Sequence, residues 1–485
     1  MLLESSPVSL DIDAVAAHVG RAWDADILPV LHDYIRIPNV SVAYDRGWAE
    51  AGHMARATEL LRKWCADRAA DGLAGARVEV QQVPGCTPLL VVDVPATGGG
   101  SDDRTVLLYG HLDKQPPFAG WRQGLGPWEP VVDGDRLYGR GSADDGYATF
   151  SALAALGAVR AAGGAHDRCV VLIEASEESG SPDLPAHLAA LGDRLGSPSL
   201  VIALDSWCGD WDRLWITTSL RGLVNMTLRV EVLTEGIHSG SAGGVVPSTF
   251  RILRQLLDRV EDARTGELRI PELHVEVPEH RRRQIADTAP DLGDMATRFP
   301  FVRGAGPVVG GTEAMLLART WGPALEVTGL EGAPPPAEAG NVLRPWTAAK
   351  FSVRVPPTAD AQAAAAALVK RLTENPPYGA RVTVDPGTAE DGWHAPPEPP
   401  WLVEAIAAAS TAAFGRPHRA LGEGGTIPFM GMLGRRFPDA RFVITGVLGP
   451  GANAHGPNEF LHLPTARNVT TAVAHILDAQ ARAPE

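Results

Sequence analysis

The hydrophobic positions in roughly the first 215 residues predict helices that alternate with buried strands. Amphipathic stretches at about 11–37 and 50–68, and an alanine-rich stretch at 147–162, predict helices, whereas residues 77–83 and 88–94 resemble strands. Short and nearly continuous apolar runs predict further strands at 105–109, 169–173 and 200–204. Apolar runs of this length, separated by helices, are typical of a parallel sheet that is buried on both faces.

The pattern changes near Trp215. Apolar and polar residues then alternate, which predicts strands with one face in solvent, at 223–232, 349–355 and 380–384. Helices are predicted between them, at 248–257 and 360–373. Three such strands with two helices describe a small α+β sandwich. A helix, strand and helix resume beyond residue 400, at 401–414, 441–447 and 465–481.

These patterns predict an α/β fold class in which helices flank a mostly parallel sheet, with a smaller two-layer α+β domain inserted into it. We expect the sheet domain to comprise residues 1–215 and 392–485, and the insert to comprise residues 216–391. A chain of 485 residues is long enough for two or more domains.

Composition and charge exclude several classes of protein. Hydrophobic residues make up 45% of the chain and charged residues 21%, which excludes overall disorder. The net charge of −15 argues against nucleic acid or an anionic membrane as a partner. We find no signal-peptide pattern and no apolar stretch of about 20 residues. The 4 cysteines have no short spacing, which fits a reducing compartment, so we expect a cytoplasmic protein.

Residue types that bind metals follow each of the three apolar runs. His111 and Asp113 follow the first run, Glu177 and Glu178 follow the second, and Asp205 follows the third. Ligands in open α/β sheets bind beyond the carboxyl ends of the strands. These side chains should therefore converge on one crevice.

A carboxylate pair, Asp144-Asp145, also precedes the alanine-rich helix. Each cluster alone has an ordinary explanation: a surface loop for His-x-Asp, a helix cap for Asp-Asp, and a solvated pair for Glu-Glu. Several clusters at one end of one sheet are different, because so many carboxylates repel one another unless a cation is present. Imidazole with carboxylates and no thiolate suits zinc, manganese or cobalt. The number of carboxylates indicates two ions, and His455 offers a second imidazole in a glycine-flanked loop.

At this point the chain resembles a known family of dinuclear metallopeptidases. The family includes carnosine dipeptidases, cytosolic non-specific dipeptidase, aminoacylase, glutamate carboxypeptidase and succinyl-diaminopimelate desuccinylase, and the resemblance is strongest to the dipeptidase branch. It rests on eight blocks in the family's order: YGHLDKQPP, GWRQGLGPWEPVVDGDRLYGRGSADD, EASEESGS, IALDS, GIHSG, AKFSVRVPP, GEGGTIP and the His455 loop.

The resemblance implies a role for each residue of the crevice. His111, Asp144 and Asp205 would surround one metal ion, Glu178 and His455 would hold the other, and Asp144 would bridge the two. Asp113 would accept the ring N–H of His111 and fix its tautomer. Glu177 would act as the general base that takes a proton from the bridging water.

The resemblance also implies roles for residues outside the crevice. His238, in the insert, would cross a homodimer interface and stabilise the oxyanion in the partner's site. The insert would then be both a lid and a dimerisation domain. Arg354 would hold the C-terminal carboxylate of the substrate, and Asn341 and Thr426 would contact the same substrate. For His238 and Arg354 the alternatives are a loop histidine and a surface ion pair.

One departure from the family pattern is visible. Family members commonly have a lysine two residues after the bridging aspartate, where this chain has Gly146 followed by Tyr147. We expect the rim of the site to lose a positive charge and to gain a phenol, which bears on substrate preference rather than on the chemistry.

Three functions follow as hypotheses. The first is metal-dependent hydrolysis of short peptides, namely dipeptides with a free C-terminal carboxylate, with two zinc ions or with manganese or cobalt. The second is hydrolysis of N-acyl or N-carbamoyl amino acids at the same site. The third, a non-catalytic binding protein on this fold, predicts the loss of Glu177 or of a metal ligand, and this chain keeps all of them.

Overall fold

The computed structural model describes residues 10–425 and 427–484 of the chain. Its helices, in chain order, are α1 (Ile12–Arg21), α2 (Leu28–Ile35), α3 (Trp48–Ala51), α4 (His53–Asp71), α5 (Ala148–Ala161), α6 (Leu184–Leu191), α7 (Ser239–Ala242), α8 (Thr249–Leu257), α9 (Glu279–Leu292), α10 (Thr312–Trp321), α11 (Ala361–Thr373), α12 (Pro400–Phe414), α13 (Pro428–Arg436) and α14 (Leu463–Ala481). A π-helical segment, Ala22–Ile27, joins α1 to α2. None of the helices within the described residues is long and apolar enough to cross a membrane.

Within the residues that the structure describes, the strands form five sheets. In chain order they are β1 (Arg77–Gln81), β2 (Leu89–Val94), β3 (Thr105–His111), β4 (Val131–Asp133), β5 (Arg136–Tyr138), β6 (Arg168–Glu174), β7 (Pro198–Ala203), β8 (Trp215–Leu220), β9 (Gly222–Glu231), β10 (Ile237–His238), β11 (Ala324–Glu331), β12 (Val342–Leu343), β13 (Trp346–Val355), β14 (Arg381–Glu390), β15 (Trp393–His394), β16 (Arg419–Glu423), β17 (Arg441–Ile444) and β18 (Phe460–His462).

The chain divides into two compact units. The first consists of the described residues of Met1–Thr217, Ala395–Ala420 and Met432–Glu485, and the second of those of Thr218–His394 and Leu421–Gly431. The described residues of Leu421–Gly431 therefore group with the second unit, although the sequence patterns place them in the sheet domain.

The first unit contains a six-stranded sheet in the order β1-β2-β6-β3-β7-β17. The pairs β6–β3, β3–β7 and β7–β17 are parallel, and β2 is antiparallel to both of its neighbours. The predicted α/β class with a mostly parallel sheet is therefore confirmed. Every residue of β3 is buried, which is the burial that its continuous apolar run predicted.

Alternate residues of the sheet strands enter one large core with the helices. On β3 these are Val106 and Leu108, and on β7 they are Leu200 and Ile202. The helix α5 is buried along most of its length because small alanine side chains let it pack closely against its neighbours. The helix begins at Ala148, shortly after the Asp144-Asp145 pair, so this packing also helps to hold that turn.

The second unit is a two-layer α+β structure with a sheet in the order β11-β13-β9-β14. One face of β9 and β13 packs against α8 and α11 around a core that includes Met226, Leu253, Phe351 and Leu368. The strand β9 alternates between buried and half-buried residues along its whole length, as its sequence predicted.

The elements of the second unit that were not predicted include β11, α9 and α10. The strand β11 lies at the edge of its sheet and is mostly exposed, so it lacks the apolar alternation that marks β9. The helix α9 carries Pro290 and few apolar residues, which conceals its helical pattern.

Candidate metal centre

The centre begins at the carboxyl end of β3, whose last residue is His111. The main-chain N–H of His111 donates to Asp145 Oδ2 at 3.2 Å, and His111 is paired across the sheet with Glu174 of β6. Gly110 leaves no room for a side chain, because a Cβ there would lie 2.7 Å from Asp145 Oδ2. The strand and the Asp144-Asp145 turn are therefore in direct contact.

The Asp144 carboxylate lies between two imidazoles. Its Oδ1 is 3.2 Å from His111 Nε2, and its Oδ2 is 3.0 Å from His455 Nε2. Asp205, which follows β7, forms a first group with His111 and Asp144, and its Oδ2 lies 3.8 Å from His111 Nε2. Glu178 forms a second group with Asp144 and His455, and its Oε2 lies 3.2 Å from His455 Nε2. One carboxylate is thus common to two sets of possible metal ligands.

Asp113 holds the turn that carries the two glutamates. Its carboxylate accepts the main-chain N–H groups of Glu177 and Glu178 at 3.1 and 3.0 Å. The ring Nδ1 of His111 lies 3.0 Å from the main-chain carbonyl of Asp113 and 3.4 Å from its carboxylate. The Asp113 carbonyl is thus the nearer acceptor for the ring Nδ1, and the Asp113 carboxylate, to which the resemblance gives this role, lies beside it.

The two glutamates of this turn face different imidazoles. Glu177 Oε2 lies 4.0 Å from His111 Nε2, whereas Glu178 Oε2 lies beside His455. Gln115 also donates to Glu178 Oε2 at 2.6 Å, while Glu178 Oε1 is buried without a hydrogen-bond partner. A buried carboxylate oxygen that lacks a partner is stabilised by a cation.

The donor set fits divalent ions. The ligand atoms of His111, Asp144 and Asp205 lie within 4.8 Å of one another, as do those of Asp144, Glu178 and His455. Donor atoms around a tetrahedral zinc ion, with bonds of ~2.0–2.1 Å, are about 3.3 Å apart. The separations between imidazole and carboxylate atoms in the two groups run from 3.0 to 3.8 Å and so include that value. Nitrogen with oxygen donors suits zinc, manganese or cobalt.

The electrostatics favour positive charge at the same place. Burial lowers the pKa of His111, but the carboxylates of Asp113 and Asp144 outweigh it and leave this pKa well above its usual value. Burial also lowers the pKa of His455, but the carboxylates of Asp144 and Glu178 outweigh this and raise the pKa to about 11. A field that holds a proton on each imidazole also favours a divalent ion, which binds the deprotonated ring.

The carboxylate of Glu177 is more basic than that of an ordinary glutamate. Burial raises its pKa well above the usual value, and the negative charges of Asp205 and Glu178 add to this, while His111 opposes it. A carboxylate with a raised pKa can accept a proton near neutral pH. This property suits a general base.

His238 and Asn341 lie together in the second unit. They belong to an exposed two-stranded ribbon in which His238 of β10 pairs with Val342 of β12. The Asn341 carbonyl accepts the main-chain N–H of Ser239 at 2.8 Å. The ribbon presents the His238 side chain on the surface of its unit.

Arg354 lies on β13, opposite Leu223 of β9, and Glu390 of β14 lies opposite the same residue. Arg354 and Glu390 therefore share the face of the sheet that does not carry the helices. Burial lowers the pKa of Arg354 and the Glu390 charge opposes this, so the guanidinium has an acidic neighbour. The predicted contact residue Thr426 lies outside the described residues.

The expectation for Tyr147 was wrong. Its side chain is fully buried, and its hydroxyl donates to the main-chain carbonyl of Leu204, next to Asp205. The preceding Gly146 cannot carry a lysine, because a Cβ there would lie 2.3 Å from both the Gly141 carbonyl and the Tyr34 ring. The departure from the family pattern therefore changes the support of Asp205 rather than the rim of the site.

Lys114 is a further supporting residue, which no pattern in the sequence indicated. It is fully buried, and its ammonium group donates to the carbonyls of Tyr34 and Ile37 at 2.8 Å and lies 3.9 Å from the centre of the Tyr34 ring. It thereby ties the end of α2 to the loop that carries Asp113. Its neighbours in the sequence gave no sign that this lysine would be buried.

Comparison with known proteins identifies relatives for most of the chain. Residues 107–479 match the model of peptidase family M20/M25/M40. The chain is 31% identical over 396 residues, which are 78% of this chain and 81% of its relative, to a cysteinylglycine-S-conjugate dipeptidase of Corynebacterium striatum. It is 27% identical over 302 residues, 61% of this chain and 59% of its relative, to the human Beta-Ala-His dipeptidase.

A solved structure has the same fold. The di-peptidase Dug1p from Saccharomyces cerevisiae superposes with a TM-score of 0.76 over 98% of this chain and 100% of that chain, at 22% sequence identity. At this level of identity the likeness establishes the fold.

Removal of the Tyr147 hydroxyl tests its buried hydrogen bond. Tyr147→Phe keeps the buried ring but removes the donor to the Leu204 carbonyl. We expect the free energy of unfolding to fall by about 1–3 kcal/mol, because a buried carbonyl loses a hydrogen bond. Urea unfolding measures it. Tyr44→Phe, at a residue that is 53% exposed, is the control and should leave stability unchanged. Equal stability of Tyr147→Phe and the wild type would contradict the buried contact.

Proposed function

Because the chain belongs to peptidase family M20/M25/M40, we propose that this metallopeptidase hydrolyses the amide bond of dipeptides with a free C-terminal carboxylate. The observation that carries the proposal is the Asp144 carboxylate, which faces His111 with one oxygen and His455 with the other. The dipeptidases among its relatives support the choice of dipeptides as substrate.

Two divalent ions complete the proposed site, zinc in the first instance, with manganese or cobalt as alternatives. His111, Asp144 and Asp205 hold one ion, and Asp144, Glu178 and His455 hold the other. When bound, the ions supply a water of lowered pKa and positive charge beside the scissile carbonyl. The support for this assignment is the donor geometry and the unpartnered Glu178 Oε1.

Glu177 moves the proton in the proposed reaction. Its carboxylate takes a proton from the attacking water and passes it to the leaving amine. Asp113 keeps the carboxylate in place by accepting the Glu177 main-chain N–H, and the neighbouring N–H of Glu178. The two glutamates thus divide proton transfer and metal binding between them.

Arg354 orients the substrate by its C-terminal carboxylate. A guanidinium can bind a carboxylate through two parallel hydrogen bonds, which fixes both position and orientation. Its place on the open face of the second unit's sheet, half-buried and beside Glu390, supports this role. Asn341 and Thr426 are proposed to contact the substrate as well.

His238 is proposed to act across a homodimer. It would donate a hydrogen bond to the oxyanion in the site of the other chain, with the second unit serving as lid and dimerisation domain. Its exposure on the ribbon of β10 and β12 supports a role outside its own chain. We place the enzyme in the cytoplasm, in keeping with its 4 cysteines, which form no disulfide within the described residues.

A panel of substrates tests the proposed function. Free dipeptides, their N-acetylated forms and N-acyl amino acids are each incubated with zinc, with manganese or with a chelator. We expect turnover of free dipeptides only, lost on chelation and restored by the metal, since the ions are part of the site.

The panel also separates the alternatives. Cleavage of N-acyl or N-carbamoyl amino acids alone would replace the dipeptidase proposal with an amidohydrolase at the same site. Turnover that survives complete removal of metal would contradict both. Metal content is measured on the same preparations.

Replacement of Glu177 tests the proton transfer. Glu177→Gln keeps the size of the side chain but cannot take a proton. We expect turnover to fall by about 10²–10⁴-fold, while the protein still binds two ions, because the proposed ligands are intact. Metal analysis and steady-state kinetics provide the two readouts. Nearly full turnover would show that another group is the base.

Mixed dimers test whether His238 acts across the interface. His238→Ala and Glu177→Gln should each be almost inactive alone. Co-expressed in equal amounts, they should recover about a quarter of wild-type activity, because half of the dimers are mixed and one site in each mixed dimer has both groups. His274→Ala, at an exposed histidine of the same unit, should stay active. No recovery in a preparation proven to contain mixed dimers would show that His238 acts within its own chain or not at all.

A further inference from the structure

A buried ion pair joins the two loops that supply Asp144 and His455. We propose that Arg140 and Glu459 are positioning residues that set the distance between these loops, and that the second metal ion depends on them. This inference rests on the proposed two-ion site. Neither residue is among the metal ligands or acts on the substrate.

Arg140 reaches the His455 loop directly. The residue is 1% exposed, its Nη1 donates to Glu459 Oε2 at 2.6 Å, and its Nη2 donates to the Gly456 carbonyl at 2.8 Å. A third contact, from Nε to the Pro116 carbonyl at 3.2 Å, reaches the loop that follows β3. One guanidinium thus connects three segments around the site.

Glu459 reaches the Asp144 turn from the other side. The residue is fully buried, and its Oε1 accepts the main-chain N–H groups of Ala143 and Asp144 at 3.2 and 3.3 Å. Its own carbonyl accepts the N–H of Gly139 at 3.0 Å. The carboxylate therefore bonds to the main chain of the shared ligand, and through Arg140 to the residue after His455.

The His455 loop needs such support. Asn453, His455 and Asn458 all have positive φ angles, of 55°, 64° and 64°, in a region that residues other than glycine rarely adopt. Such a backbone persists where its surroundings hold it. The side chain of His455 is 58% exposed, so packing contributes little. Hydrogen bonds from outside hold the loop instead, from Arg140 to the Gly456 carbonyl and from the Arg122 main chain to the Asn458 side chain.

The geometry makes the effect selective. The first group, with His111 and Asp205, is fixed by the ends of β3 and β7, whereas the second includes His455. Loosening the His455 loop therefore weakens the second group and leaves the first intact. Groups that orient ligands commonly change metal affinity by ~10–100-fold when they are replaced.

Arg140→Lys tests the proposal. Lysine keeps the charge but lacks the fork that contacts Glu459 and Gly456 together. The matched control is Arg104→Lys, because Arg104 also joins a buried carboxylate, Asp167, and two main-chain carbonyls, at Ala481 and Ala483, away from the ligand loops. Metal-free protein is titrated with zinc by calorimetry, and its folding is checked by circular dichroism.

We expect Arg104→Lys to bind two ions, each with the same affinity as the wild type. Arg140→Lys should bind the first ion as the wild type does and the second at least 10-fold more weakly. Equal binding of both ions by Arg140→Lys would overturn the proposal. Loss of the second ion in both variants would overturn it too, because the effect would then follow from general destabilisation.

A second pair of variants covers the case in which Arg140→Lys does not fold. Glu459→Gln and Asp167→Asn each remove the charge of a buried carboxylate that pairs with arginine. Selective loss of the second ion in Glu459→Gln alone supports the proposal, and equal behaviour of the two variants overturns it.

If the wild type binds no ions, the proposed metal site itself fails. If it binds two and does not cleave dipeptides, the substrate proposal fails and this inference stands.

Discussion

Repulsion between carboxylates at one end of a parallel sheet is the constraint on which this site depends. Asp144, Asp205, Glu177 and Glu178 converge there, and unscreened negative charges at such distances oppose folding. Two imidazoles, one on each side of Asp144, reduce this repulsion, and main-chain N–H groups stabilise the supporting carboxylate of Asp113. The negative charge that remains at the site attracts divalent cations.

Rigid and irregular segments share the task of holding the ligands. His111 ends a fully buried strand, so its position follows from the packing of the sheet. His455 lies in an irregular loop, so its position depends on hydrogen bonds from outside the loop. A residue at the end of a strand and a residue in a loop thus need different kinds of support, although they face the same carboxylate.

The sequence was informative where a local pattern carried the structure. The apolar runs that became β3, β6 and β7 predicted the parallel sheet, and the residues after them form the candidate site. The strand β11 was missed because an exposed edge strand has no buried face to mark it. The pairing of Arg140 with Glu459 was beyond reach for another reason, since 319 residues separate them and no spacing rule links such positions.

The departure at Gly146-Tyr147 shows that a motif alone does not tell whether a side chain lies on the rim of a site or in the core. From the sequence, a tyrosine beside the bridging aspartate looked like a new group on the rim. In the structure the Tyr34 ring occupies the space at Gly146, and Lys114 packs on the same ring. Tyr147 is turned into the core, where its hydroxyl holds the chain next to Asp205. Gly146 and Tyr147 therefore belong to the interior of the protein, and we propose that other residues contact the substrate, Arg354 among them.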